Sequence, residues 1–193
     1  EFYNYPVPDP DDYDYDTAKE RVKALNDEFA VYIGHPGIPD IINGIFSICE
    51  ETFWGLSAHV KYFDKGISLP PIDGEWIDLF AAETAATLVN ARYLFEDELK
   101  AYCPEIIDRL DYELERKIKK PYISHVEWTW QGYTRPVNNW NPWILSNILN
   151  VFLLAEKNEA RKADAINKMI HEINAIYKEY PSDGGCDEGP SYW

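Results

Sequence analysis

The sequence predicts an all-α fold, an incomplete (α/α) toroid of paired inner and outer helices, and three observations predict it. Apolar residues recur at helical spacing in one segment after another. No stretch alternates apolar and polar residues with the period of two that a half-buried strand requires. The helical segments also fall into pairs, one member apolar around its whole axis and the other along a single stripe. A helix without a polar face must be covered on most sides, and a striped helix has one wet face, so the pairs imply two concentric layers.

In chain order, residues 1–15 (EFYNYPVPDPDDYDY) are too rich in Pro and Asp for a helix or a central strand and are expected to form an extended arm. The toroid domain is expected over 16–193. TAKERVKALNDEFAVY opens with a capping box, Thr17 and Glu20, and carries Val22, Leu25 and Phe29 on one face. DIINGIFSICEETFW sets Ile41, Ile42, Ile45, Phe46, Ile48 and Cys49 around its axis, as an inner helix does. A loop over 60–74 follows, and then EWIDLFAAETAATLVNARYLFEDELKAY reads as one long inner helix, Ala-rich in its first half.

Pro104 is expected at the first position of an outer helix striped by Ile106, Ile107, Leu110, Leu114 and Ile118. The Trp-rich loop PYISHVEWTWQGYTRPVNN leads to Asn141 as the expected cap, with Pro142 in the first turn, of the inner helix WILSNILNVFLLAEK. The last helix, EARKADAINKMIHEINAIYKEY, is striped by Ile166, Met169, Ile170, Ile173 and Tyr177 and stops at Pro181. Long loops over 53–75 and 121–140 collect most of the tryptophan at one end of the helices.

Composition narrows the function. Thirty-four acidic against eighteen basic side chains give a formal charge of -16, which argues against nucleic acid and anionic membrane surfaces as partners. Apolar runs are broken well short of ~20 residues, so no membrane insertion is expected. Cys49, Cys103 and Cys186 are widely spaced and match no metal-ligand pattern, no phosphate-cradling Gly loop is present, and no cofactor is expected. Seven Trp and fourteen Tyr exceed what a core of this size requires, and aromatic faces stack well on sugar rings.

Two short stretches carry the chemistry. VNNWNPW, residues 137–143, combines amides with indoles, a poor mixture for a core and a good one for gripping a sugar. PSDGGCDEGPSYW closes the chain with two tight turns and two aromatic residues. Together with CEETFWGLSAH at 49–59 and DLFAAETAA at 78–86, these segments resemble the heparinase II/III-like polysaccharide lyases over most of residues 37–193. Their order, and the 53-residue spacing from Asn139 to Tyr192, add weight to that resemblance.

The resemblance implies cleavage of uronic-acid-containing glycans by β-elimination. Asn139 would neutralise the uronate carboxylate and Tyr192 would act as base and acid. Several members of that family carry a histidine directly after the asparagine where this chain has Trp140, so either Tyr192 works alone or a histidine arrives from elsewhere. His59, in a matching stretch, is the catalytic candidate; His125 in the Trp-rich loop is weighed toward a structural role, and His171 lies on an outer helix. Asn138, Arg135, Trp140, Trp128, Trp130, Glu50 and Trp54 are the expected substrate-binding residues, Arg135 being the nearest cation in sequence that stands to steady a Tyr192 phenolate.

The expected partner is an acidic polysaccharide or oligosaccharide. The resemblance further implies that the remaining toroid helices and a C-terminal β-rich domain belong to a longer parent chain, and that the protein is secreted or periplasmic. Two other readings stay open: a toroid glycoside hydrolase using Glu50, Glu51 or Glu83, and a glycan-binding protein without catalysis.

Overall fold

A computed structural model of the chain describes residues 37–59, 76–134 and 136–185. By internal packing the chain divides into the units Glu1–Pro39 and Asp40–Trp193, and all that follows concerns the second. The arm expected over 1–15, the helix expected from Thr17 and the loop expected over 60–74 lie outside the described residues. Among the described residues every regular element is helical: α1 (Ile38–Glu50), α2 (Leu79–Leu94), α3 (Glu96–Tyr102), α4 (Glu105–Leu114), α5 (Lys120–Ser124), α6 (Trp140–Ala155) and α7 (Glu159–Glu179). Short 3-10 turns stand at Ser57–His59 and Thr129–Gln131. No helix among these residues is long and apolar enough to cross a membrane.

The core is built on α2 packed along α6, the most extensive helix contact, with α7 also packed against α6. Ala81, Ala82, Ala85 and Ala86 keep the α2 surface low, so that Ile144, Leu145, Ile148, Val151 and Phe152 of α6 can be buried. Each fully buried Ile, Leu or Phe contributes roughly 1.5–3 kcal/mol of apolar transfer. The α4 stripe is fully realised: Ile106, Ile107, Leu110, Leu114 and Ile118 are all buried.

Four expectations are corrected. The single long helix is two helices. Asp78 caps α2 by accepting from the Ala81 N–H at 2.8 Å, so the helix starts at Leu79. At Phe95 the backbone leaves the helical region (φ −124°, ψ 24°), and Glu96, Asp97 and Glu98 open α3 where acidic side chains suit a helix N-terminus. Pro104 is the residue before α4 rather than its first.

The loop expected from 121 is helical to Ser124, because a π-helical stretch at Glu115–Lys119 widens the ladder just where Pro121 lacks an N–H and would crowd the Lys117 carbonyl. The fourth correction is α1, which is not covered all round: Ile45 and Cys49 are buried, while Phe46 is 50% exposed. The stripe of α7 is likewise split, with Met169 buried and Ile170 and Tyr177 exposed.

Candidate functional site

Asp78 organises the site. It is fully buried, and its carboxylate accepts three hydrogen bonds: Oδ1 from the Ala81 N–H at 2.8 Å, Oδ2 from the Leu56 N–H at 2.9 Å and from Nδ1 of His59 at 2.8 Å. A buried carboxylate persists only with such donors. The loop reaches it because residue 55 is glycine, where a Cβ would stand 2.6 Å from Phe53 Cζ and 2.8 Å from Asp78 Oδ1.

With Nδ1–H donated to Asp78, neutral His59 carries its lone pair on Nε2. The imidazole side chain is 23% exposed and is flanked by Trp140, ring centroids 4.7 Å apart, and by Phe80 at 6.0 Å. Trp140 directly follows Asn139. Two segments about eighty residues apart in sequence, each singled out for its motif, therefore meet at one imidazole.

Hydrogen bonds, peptide links and one ring contact tie the two segments together. The Asn141 amide, buried and not the cap it was expected to be, donates to the Trp130 carbonyl at 2.8 Å and to the Glu172 carbonyl at 3.2 Å. Trp130 Nε1 donates to the Ile77 carbonyl at 2.9 Å, next to Asp78. The cycle runs from His59 through Asp78, Ile77, Trp130 and Asn141 to Trp140, and back to His59. Capping of α6 passes to Asn138, whose Oδ1 accepts from the Trp140 N–H at 3.2 Å. Asn139 occupies the N-cap position with no side-chain cap bond.

The tryptophans divide. Trp54, Trp128 and Trp130 are 7%, 3% and 2% exposed, so the expectation of sugar platforms at these three is corrected: a ring packed on both faces has none to offer. Trp54 bonds the Ile48 carbonyl at 2.8 Å beneath the Lys117 ammonium, and Trp128 lies between His125, Trp130 and Trp76. Trp140 is half-buried, and Trp143 is 51% exposed.

Glu50 is an exposed partner of Arg109 at 3.0 Å, at the C-terminus of α1, and Glu51 and Glu83 are exposed. His125 stacks flat on Trp128, and His171 stacks on Tyr133. Arg135 and Tyr192 lie outside the described residues. Among the described residues no group of three or more His, Cys, Asp or Glu converges as metal ligands.

Beneath the loop sits a second buried carboxylate. Glu172 Oε2 accepts from the Tyr122 hydroxyl at 2.7 Å and Oε1 from the Gln131 amide at 3.0 Å. Burial pushes the Glu172 carboxyl up to about 7, against the pull of Tyr122, Lys168, Tyr133 and Gln131. Burial and the neighbouring Glu172 raise Tyr133 to about 12, and push Tyr122 further up.

Sequence reasoning missed both Asp78 and Glu172 as site residues, although each left a trace. Asp three residues before the apolar Ala81 turn is an N-cap signature. Glu172 falls on the buried α7 face with Ala165 and Met169, at spacings of seven and three, where a charge is out of keeping with its neighbours. No protein-family model matches the sequence, and no curated protein matches it.

Proposed function

We propose that this protein is a polysaccharide lyase on an incomplete (α/α) toroid, cleaving uronic-acid-containing glycans by β-elimination. The observation that carries this reading is the His59–Asp78 pair against Trp140. Where several members of the family it resembles have a histidine after the asparagine, this chain has Trp140, and the imidazole in contact with it is His59. The packing of α2 along α6, and of α7 against α6, supports an arrangement of helices layered on helices.

In the proposed reaction the uronate carboxylate lies at Asn139, whose amide donors offset its charge and make the adjacent C–H acidic. His59 Nε2 takes that proton, and Asp78 stabilises the imidazolium through Nδ1–H. The bond from the neighbouring carbon to the glycosidic oxygen breaks as the new double bond forms, and Tyr192 gives its proton to the leaving oxygen. Trp140 and the exposed Trp143 offer faces to the sugar. The substrate is an acidic oligosaccharide or polysaccharide, with Arg135 and the C-terminal β-rich domain of the parent chain as further contributors.

The test uses the full-length protein with heparan sulfate, hyaluronan, chondroitin, alginate and gellan-type oligosaccharides. The expected outcome is a rise in ultraviolet absorbance from the unsaturated uronate, abolished in both His59→Gln and Tyr192→Phe. New reducing ends without that absorbance would sink the lyase and favour a hydrolase; binding without either would leave a glycan-binding protein.

A further inference from the structure

Trp140 shares His59 with a second aromatic ring. Phe80, on the first turn of α2, has its ring centroid 6.0 Å from that of the imidazole, at an interplanar angle of 37°. One carboxylate places both residues: Asp78 Oδ2 accepts from Nδ1 of His59, and Oδ1 caps α2 two positions before Phe80. Leu56 is tied to the same pair through its backbone. Its N–H donates to Asp78 Oδ2 at 2.9 Å, and its carbonyl accepts from the His59 N–H at 2.9 Å.

Phe80 does not serve the core as the residues after it do. Ala81 and Ala82 are buried, whereas Phe80 is 44% exposed and Leu56 42% exposed. A fully buried Phe contributes roughly 1.5–3 kcal/mol of apolar transfer, and Phe80 leaves much of that unrealised. Apolar side chains scattered singly over a surface are ordinary. Two exposed ones and a half-buried indole gathered at one oriented imidazole are a different case, the apolar walls and few placed polar groups of a ligand site.

We infer that Phe80 is a substrate-binding wall of the His59 site, its open face taking the apolar C–H face of the pyranose ring presented to the imidazole. The inference rests on the reading of this site as one for a glycan. A pyranose carries its hydroxyls around the edge and C–H groups on its faces. Packing a face on an aromatic ring buries the C–H groups and leaves the hydroxyls to amides and water. A branched aliphatic side chain fills similar space against His59 and offers no flat π face, so the two roles of Phe80, packing and stacking, can be separated by substitution.

Binding is read without turnover in the full-length protein carrying Tyr192→Phe, which leaves His59, Asp78, Phe80 and Trp140 in place. The probes are hyaluronan, chondroitin, heparan sulfate, alginate and gellan-type oligosaccharides, titrated by calorimetry. For the glycan held most tightly, adding Phe80→Leu is expected to weaken binding about five- to tenfold, the scale of one lost aromatic stack. Phe80→Trp and Phe80→Tyr are expected to stay within about twofold. A residue that only packs on His59 would tolerate leucine. Unchanged binding in Phe80→Leu therefore overturns the inference, and so does a panel in which no glycan binds.

With Tyr192 restored, the ultraviolet assay is expected to show KM raised by a similar factor in Phe80→Leu and kcat within about threefold of the parent, the mark of a contact held equally in ground and transition states. A fall in kcat at unchanged KM overturns the inference, because Phe80 would then act through His59. Weakened binding in Phe80→Leu with no ultraviolet product from the parent protein would count against the lyase and leave the wall standing as part of a glycan-binding site.

Discussion

His59 and His125 make an instructive pair. Both sit in Trp-containing segments, both side chains are about one-fifth exposed (23% and 20%), and both direct Nδ1 inward. His59 meets the buried Asp78 carboxylate at 2.8 Å. His125 meets the Pro121 carbonyl at 3.1 Å at the end of α5, with its ring flat on Trp128 at 4.7 Å. A carbonyl orients an imidazole; a carboxylate orients it and also stabilises the positive ring that a base becomes. Exposure does not separate the two histidines, but the inner partner does.

The largest effect that would break this comparison is catalytic. In the lyase assay His59→Gln is expected to lower the rate by about 10²–10⁴, the usual contribution of a positioned general base, whereas His125→Gln changes it by less than about threefold. Equal losses would remove the distinction.

A second, thermodynamic test concerns Asp78. Asp78→Ala strands the Ala81 and Leu56 N–H groups as well as His59 and is expected to cost about 3–5 kcal/mol in denaturant unfolding, from a lost cap and unsatisfied buried donors. Asp78→Asn keeps a capping oxygen and is expected to cost roughly half that, while turning an amide donor or a single acceptor toward Nδ1. A smaller stability loss with the rate still depressed would sharpen the case for positioning.

Two carboxylates differ in the same way, Glu172 fully buried and Glu115 40% exposed. Glu172 has a folded pKa near 7, above the ordinary glutamate value of ~4.3, so its neutral form favours the fold. Its contribution is fully present below the unfolded value and is lost as pH rises through 7, on the order of 3 kcal/mol in all. Glu115 runs the other way: hydrogen bonds from Arg161 at 2.7 and 2.8 Å hold its carboxyl below the ordinary range, so its contribution is lost as pH falls. Urea midpoints across the pH range should show Glu172→Gln flattening the neutral limb and leaving the acid limb in place.

The smallest expected effect is at Trp130. Trp130→Phe keeps most of the packing and removes the donor to the Ile77 carbonyl, for a loss of about 1–2 kcal/mol. A similar loss on replacing the exposed Trp143 would be contrary to the division between core and exposed tryptophans.

Much of the fold was legible because it is local. The 106, 107, 110, 114, 118 stripe of α4 and the Ala-rich turns of α2 follow from helical spacing alone, and both are buried as the pattern requires. The Phe95 break and the passage of α4 through a π-helical stretch to Ser124 were not legible, because continuous helical propensity conceals a change of direction that packing imposes. Motif reading singled out His59 and Trp140, which the fold brings into ring contact, but expected open faces at Trp54, Trp128 and Trp130, which are buried. Indoles in a loop look alike in sequence whether they face solvent or fill the space under the loop.

By itself the sequence determined the helical class, the striped faces, the acidic balance and the two segments that carry amide, imidazole and indole groups. Only the tertiary structure decided that Asp78 lies behind His59, that Trp140 lies beside it, and that Glu172 holds the loop from below. Those contacts join residues 19, 81 and 41 positions apart in the pairs Asp78–His59, Trp140–His59 and Glu172–Gln131. Local propensity acts over a turn or two of chain, whereas the partner of a buried charge is chosen by whichever donor the packed helices bring within reach.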